Sequence, residues 1–216
     1  MDELKNHITK LREDFTKGTL SEADVSTDPF LQFTYWLQQA VDSKIPEVQA
    51  ANLATVSSEG KPSSRIVYLR EFEKNNFSFY TNYNSRKAKD LEQNPHTCLT
   101  FFWPELERQV RIEGKVEKTS AAQSDAYFNA RPYDSKVGAW SSEQSNLLFS
   151  RGELEIKIEE IKKLYNPETI KRPDFWGGYI LKANYYEFWQ GRKSRLHDRI
   201  SYRLQNNNWL ISRLSP

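Results

Sequence analysis

The chain has a single cysteine, Cys98, among its 216 residues. No intramolecular disulfide can form, and a C-x-x-C metal site is absent. Cys98 lies in the apolar run Thr97-Cys98-Leu99-Thr100-Phe101-Phe102 and reads as a small core residue. Histidine is scarce as well: His7, His96 and His197 are the three present, which argues against a zinc site. The chain carries no G-x-G-x-x-G, no G-x-x-x-x-G-K-[ST], no H-E-x-x-H and no G-x-S-x-G. No apolar run is long enough to span a bilayer. The start, Met1-Asp2-Glu3-Leu4-Lys5, is charged and lacks the apolar stretch of a secretion signal, so the expectation is a cytoplasmic protein. Neither sign of charge dominates. With 31 basic and 29 acidic side chains the net charge is +2, too balanced for a nucleic-acid footprint across the whole surface.

What the chain does have is aromatic residues: six Trp, eleven Tyr and twelve Phe. They favour strands and pockets for flat ligands over a long helical bundle. A content of 38% hydrophobic and 28% charged residues fits a soluble globular protein, with length for one domain and appendages. Residues 1–26 are polar and mixed in charge. They read as an arm with a short helix around Leu4, Ile8 and Leu11, and residues 27–216 read as a single domain.

Asp28-Pro29 opens a helix, with Asp as N-cap and Pro at the first helical position. Phe30, Phe33, Leu37 and Ala40 follow at helical spacing. Strand patterns cover 52–56, 65–70, 77–80, 97–103 and 109–116, with a Gly/Pro turn over 57–62. Asn84-Ser85 caps a helix over 86–93, stopped by Asn94-Pro95. Ser120-Ala121-Ala122-Gln123 has the form of a capping box and opens a helix to about Ala130, followed by the loop Pro132–Ser135. Another helix spans about 153–165. Strands return at 178–181, 185–190, 195–204 and 209–214, with a hairpin turn at Asn206-Asn207-Asn208. Many closely spaced strands with few helices predict a mainly β fold, a small barrel or sandwich.

Four clusters could carry chemistry. Read as a strand, Glu187–Arg199 points Arg195, His197 and Arg199 to one face. Same-face neighbours lie roughly 7 Å apart, where two fixed charges repel by about 2 kcal/mol. An anion or a carboxylate would answer them, and Trp189 beside them suits a flat anionic ligand; a solvated charged strand is the alternative. The second cluster, Tyr80-Thr81-Asn82-Tyr83-Asn84-Ser85-Arg86-Lys87, passes from a strand into a helix start. Free N–H groups, the Thr81 and Ser85 hydroxyls and two cations would cradle a phosphate there. Cations in a first helical turn are unfavourable without a counter-charge. The third cluster, Arg65-Ile66-Val67-Tyr68-Leu69-Arg70, carries one arginine on each strand face, which also fits a strand whose ends reach water. In the fourth, Tyr127 and Arg131 share a helical face, and with Ser135 they could hold a second phosphate. An ordinary surface Tyr–Arg contact is the alternative. Groups for acid–base or nucleophilic work are few, so a bound organic cofactor would have to carry any reaction.

Seven pieces, in order, give the chain a resemblance to the pyridoxamine/pyridoxine 5′-phosphate oxidase family over nearly its whole length. They are R-I-V-Y-L-R (65–70), F-Y-T-N-Y-N-S-R-K-A (79–88), L-E-R-Q-V-R-I-E-G (106–114), Y-F-N-A-R-P-Y-D-S (127–135), G-A-W-S-S-E-Q-S (138–145), F-W-G-G-Y (175–179) and F-W-Q-G-R-K-S-R-L-H-D-R (188–199). The resemblance implies a split β-barrel binding flavin mononucleotide (FMN) at the interface of a homodimer. It implies oxidation of pyridoxamine or pyridoxine 5′-phosphate to pyridoxal 5′-phosphate, with hydride passing from substrate C4′ to the flavin and dioxygen yielding hydrogen peroxide. By the same resemblance Arg65, Ile66, Val67, Tyr68, Leu69, Arg70, Tyr80, Thr81, Arg86 and Lys87 contact FMN. Gln109, Gln144, Ser145, Trp189 and Arg199 complete its site, some from the partner subunit. Arg70, Tyr127, Arg131 and Ser135 meet the substrate phosphate, Arg12 belongs to an N-terminal segment over the substrate, and Arg195 and His197 lie over the pyridine ring as the catalytic pair.

The chain departs from the family pattern at three places. Arg70 stands where Lys is frequent, Phe15 where some members have Tyr, and Lys136 where Gln is frequent. Three other functions compete with the oxidase reading: a flavin enzyme of the same barrel class with a different substrate, a flavin or pyridoxal-phosphate carrier, and a nucleic-acid-binding protein. The last conflicts with the near-neutral charge and predicts steep salt dependence.

Overall fold

In the computed structural model, residues 1–11 and 14–216 are described. Among the described residues nine strands hydrogen-bond in the order β2-β1-β5-β6-β7-β4-β3, with β8 on β7 and β9 on β8. They are β1 (Ala50–Val56), β2 (Pro62–Tyr68), β3 (Glu71–Glu73), β4 (Asn76–Asn82), β5 (His96–Trp103), β6 (Arg108–Lys118), β7 (Trp176–Gln190), β8 (Asp198–Gln205) and β9 (Asn208–Arg213). The helices are α1 (Asp2–Lys10), α2 (Pro29–Asp42), α3 (Arg86–Gln93), α4 (Ala121–Asn129), α5 (Tyr133–Ser141) and α6 (Arg151–Leu164). Among the described residues no helix is long and apolar enough to cross a membrane.

The chain divides into two compact units. One comprises 1–48, 100–112 and 184–216, the other 49–99 and 113–183. In the first, α2 starts where Asp28 Oδ1 accepts from the Phe30 amide at 2.8 Å, which satisfies one of the free N–H groups of the first turn. Its buried face, Phe33, Trp36 and Ala40, meets strand aromatics: Phe33 lies 5.2 Å from Phe101, and Trp36 stands edge-on to Phe188 at 5.2 Å. Phe30 and Leu37 are half-buried. Helix α1 buries no residue, and Leu4, Ile8 and Leu11 are exposed.

In the second unit Leu53, Phe77, Phe79, Leu99 and Leu181 are fully buried. Gly114 permits a close backbone approach there, because a Cβ at that position would lie 2.0 Å from the Lys182 carbonyl oxygen. Helix α3 has the expected bounds, Arg86–Gln93. Cys98 is half-buried.

The structure corrects several sequence-based expectations. Residues 178–181 and 185–190 belong to one strand, β7, which changes partner midway. Trp176–Lys182 pairs with β4, and Tyr185–Gln190 pairs with β8. The polar Lys182-Ala183-Asn184 stretch that resembles a turn lies at this exchange of partners. Pro132–Ser135 is not a loop: Tyr133, Asp134 and Ser135 are the first turn of α5, with Pro132 as an extended N-cap. Ser120 caps α4 by accepting from the Gln123 amide, but the Gln123 side chain donates to Glu71 instead of returning to the cap. Arg195, His197 and Arg199 do not share one strand. A 3-10 turn over Lys193–Arg195 intervenes, with Ser194 and Arg195 at φ +56° and +61°, and β8 begins only at Asp198. Period-two alternation therefore does not reach Arg195.

Candidate functional site

The second unit contains a cavity of about 690 Å³, within the size range of small-ligand sites. One end is built where β4 runs into α3. Thr81 is at the strand end, Ser85 is the N-cap, and Lys87 lies one residue inside the helix. Lys87 is 9% exposed. Its Nζ donates to Gln144 Oε1 at 2.8 Å, Thr81 Oγ1 at 3.0 Å and Ser85 Oγ at 3.3 Å. All three acceptors are neutral. Burial, reinforced by the Arg65 cation, pushes the Lys87 ammonium down to about 8. A buried cation answered only by neutral oxygens is the donor set of an anion site. Gln144, contributed by the segment after α5, also accepts from Thr81 Oγ1 at 3.0 Å. Arg86 is exposed and Arg65 turns away. The Arg65 guanidinium donates to Leu53 O, Thr55 Oγ1 and Ser63 Oγ, next to the buried Asp90 carboxylate. Ile66, Val67, Tyr68 and Arg70 line the cavity, whereas Leu69 is buried and does not line it.

The other end is aromatic and cationic. Tyr80 from β4 stacks on Tyr127 from α4 at 3.7 Å and 6°, and Trp176 from β7 lies 5.6 Å from the Tyr80 ring in a near-parallel plane. The Arg131 guanidinium sits 4.6 Å over Trp176 and 5.6 Å from Phe128. Its Nη1 is buried with no hydrogen-bond partner. An orphaned guanidinium N–H beside the Tyr127 and Ser135 side chains fits a second anion. Burial and the Arg70 cation both disfavour the charge on Arg131, and proximity to Tyr127 favours it. Burial and the Glu71 carboxylate push the Tyr80 hydroxyl far above its ordinary range, so it stays protonated at working pH and donates a hydrogen bond to Glu71. The cavity thus carries two cationic groups, Lys87 and Arg131, in its lining.

The first unit holds the third group of candidates. The Trp189 and His197 rings are 4.6 Å apart, and Phe15 meets each edge-on at 5.6 Å. His197 Nδ1 accepts from the Arg192 amide at 3.1 Å, so its neutral form carries the proton on Nε2. Burial, then the Arg195 cation, pulls His197 below its ordinary value and keeps it neutral at pH 7. Arg195 is exposed on the left-handed turn, where the Ser194 amide donates to Asp14. Arg199 is answered by a carboxylate: its Nε donates to Glu187 at 2.9 Å, and Nη1 to Ser215 O. Gln109 is half-buried on β6, and Ser145 is exposed at φ +75°. The expectation for Arg12 falls outside the described residues.

Sequence reasoning gave no role to Trp176 or Glu71. Trp176 belongs to F-W-G-G-Y, where an aromatic before paired glycines was the available signal. Glu71 had none, because it lies on β3, too short a strand to show a period, and its partners come from β4 and α4.

Residues 37–165 match the family model for pyridoxamine 5′-phosphate oxidase, and 176–216 match that for the pyridoxine 5′-phosphate oxidase C-terminal dimerisation region. The pyridoxine/pyridoxamine 5′-phosphate oxidase of Actinobacillus pleuropneumoniae serotype 5b (strain L20) is 54% identical over 209 residues, covering 97% of this chain and 99% of the relative. That of Cyanothece sp. (strain PCC 7425 / ATCC 29141) is 49% identical, covering 97% and 98%. Among solved structures, PhzG from Burkholderia lata 383, in complex with tetrahydrophenazine-1-carboxylic acid, superposes with a TM-score of 0.85 at 27% identity, covering 92% of this chain and 98% of that one. A pyridoxamine 5′-phosphate oxidase-related, FMN-binding protein from Nostoc punctiforme PCC 73102 shares the fold, with a TM-score of 0.70 at 18% identity and coverage of 89% and 100%. The fold is that of the FMN-binding split β-barrels. On sequence and fold together, the chain belongs to the pyridoxamine 5′-phosphate oxidase family.

Proposed function

We propose that this chain is an FMN-dependent oxidase that converts pyridoxamine or pyridoxine 5′-phosphate to pyridoxal 5′-phosphate. The observation that carries the reading is the pair of cations in one cavity, the buried Lys87 and the half-buried Arg131 with its buried, unpartnered Nη1, neither of which has a carboxylate among its hydrogen-bond partners in the described residues. Lys87, Thr81 and Ser85 hold the FMN phosphate, with Gln144 as the neutral stand-in that gives way. Arg131, Tyr127 and Ser135, with Arg70, hold the substrate phosphate. FMN supplies the hydride acceptor, and dioxygen restores it with hydrogen peroxide as the second product.

Oxidation removes a hydride from C4′ and a proton from the attached hydroxyl or amine. With the amine substrate, water then displaces ammonia from the imine. The protein orients the ring and steadies charge instead of attacking it. His197 presents Nε2–H as a neutral donor and Arg195 presents a fixed cation, both towards the pyridine ring. The flavin site is completed across a homodimer interface, to which the 176–216 region contributes. The protein works in the cytoplasm, as one oxidase domain preceded by an N-terminal arm.

A flavin oxidase with another substrate is the second reading, favoured by the likeness to PhzG. The Arg131 N–H beside Tyr127 and Ser135 asks for an anionic group, which a phosphate or a carboxylate supplies, so what weighs against the second reading is the near-full-length likeness to the pyridoxine/pyridoxamine 5′-phosphate oxidases. Aerobic incubation of FMN-loaded protein with pyridoxamine 5′-phosphate tests the choice. Pyridoxal 5′-phosphate should accumulate one-for-one with oxygen consumed, and pyridoxamine lacking the phosphate should be a far poorer substrate. Equal rates for the two would favour the second reading.

A further inference from the structure

We propose that Glu71 is a positioning residue for the substrate phosphate site, a role that rests on the oxidase reading above. Glu71 sits opposite Ser78 in the β3–β4 register, so Tyr80, two residues on, is its diagonal neighbour on the same face. Each carboxylate oxygen is used. Oε1 accepts from the Tyr80 hydroxyl at 3.1 Å, and Oε2 accepts from Gln123 Nε2 at 2.7 Å. Gln123 and Tyr127 are four residues apart on α4 and therefore share a face. One carboxylate thus ties a strand to a helix at the two places from which the stacked Tyr80 and Tyr127 rings project.

The stack extends to Trp176, and Arg131 lies over Trp176. Glu71 consequently fixes where α4, which carries Tyr127 and leads to Arg131, sits against β4, without entering the cavity wall itself. The Tyr80 hydroxyl, kept protonated, is spent on this clamp and does not donate to a ligand.

The test uses full-length FMN-loaded protein carrying Glu71→Ala, Glu71→Gln and, to cut the helix side alone, Gln123→Ala. Glu71→Ala should raise KM for pyridoxamine 5′-phosphate about fivefold or more and leave kcat within about twofold, the pattern of lost positioning for binding. Glu71→Gln, which still accepts from Tyr80, should recover most of the loss. Gln123→Ala should shift KM in the same direction, and adding it to Glu71→Ala should cost less than the sum of the two. Inorganic phosphate binding by calorimetry provides a readout independent of turnover, and its dissociation constant should rise in parallel with KM. Unchanged KM and phosphate affinity in Glu71→Ala, or a fall in kcat alone, would overturn the proposal. If the parent protein turns over no pyridoxamine 5′-phosphate, the oxidase reading fails instead, and the phosphate titrations still decide the role of Glu71.

Discussion

FMN affinity should depend on pH through Lys87, and the size of the effect follows from its surroundings. Burial and the Arg65 cation bring the ammonium to about 8 in the ligand-free protein. A flavin phosphate is a dianion from about pH 7 upward, since its second proton leaves near pH 6. Binding then restores the ammonium, because the new counter-charge repays its desolvation. With a ligand-free value near 8, about nine-tenths of Lys87 is charged at pH 7 and about one-tenth at pH 9, so affinity should fall about tenfold across that interval. Fluorescence titration of the apoprotein measures it directly. Riboflavin, which lacks the phosphate, should show no such step. Lys87→Met should remove the pH dependence and weaken FMN at pH 7 by about 1.5–3 kcal/mol, the range for a hydrogen bond to a charged group. A flat FMN profile from pH 7 to 9, or the same slope in Lys87→Met, would refute the assignment. Linkage gives a companion sign. The unfolded chain holds the Lys87 proton up to about 10.4 and the folded apoprotein only to about 8, so between these values this group makes apoprotein stability rise with pH.

Other perturbations have equally definite outcomes. Gly114→Ala drives a Cβ to within 2.0 Å of the Lys182 carbonyl oxygen and should cost about 3 kcal/mol or more, seen as a lowered Tm; an unchanged Tm would contradict the close approach. Asp28→Ala removes the cap bond to the Phe30 amide and should cost about 1 kcal/mol in urea denaturation. Arg131→Lys keeps the charge but loses the guanidinium that lies 4.6 Å over Trp176, so KM for the phosphate substrate should rise severalfold with kcat little changed. Asp198 is held below its ordinary value because the Leu20 amide, Arg192 and Arg213 together outweigh burial. The stability it contributes is present above about pH 4 and is lost as pH falls through its lowered folded value. Asp198→Asn should therefore flatten the acid limb of a thermal-stability profile.

The local grammar of the chain was legible where one signal acted alone. Asp28-Pro29 and Asn84-Ser85 mark helix starts, and Asn94-Pro95 a stop, and α2 and α3 begin and end there. The reading failed where tertiary partners decide. A strand that changes neighbours at residues 183–184 looks like two strands with a turn, because its middle is polar. The short α5 carries mixed polar and aromatic residues without a clean helical stripe, and Ser135 was misplaced with it. The left-handed backbone at Ser194 and Arg195 breaks an alternation that the residue types alone suggested. Thr81, Lys87, Tyr127, Arg131 and Ser135 all line the cavity, and each belonged to a sequence cluster of cations beside hydroxyls at a helix start or end. That Arg65 would bond Thr55, beside Asp90, was not legible, because β1 and α3 supply those neighbours from other elements of the chain.

The most direct test of the central claim is anaerobic mixing of FMN-loaded protein with pyridoxamine 5′-phosphate while the flavin absorbance band is followed. The account predicts bleaching, one pyridoxal 5′-phosphate released per flavin, and recovery of the band when air is admitted. A flavin band that stays unchanged at saturating substrate would contradict it.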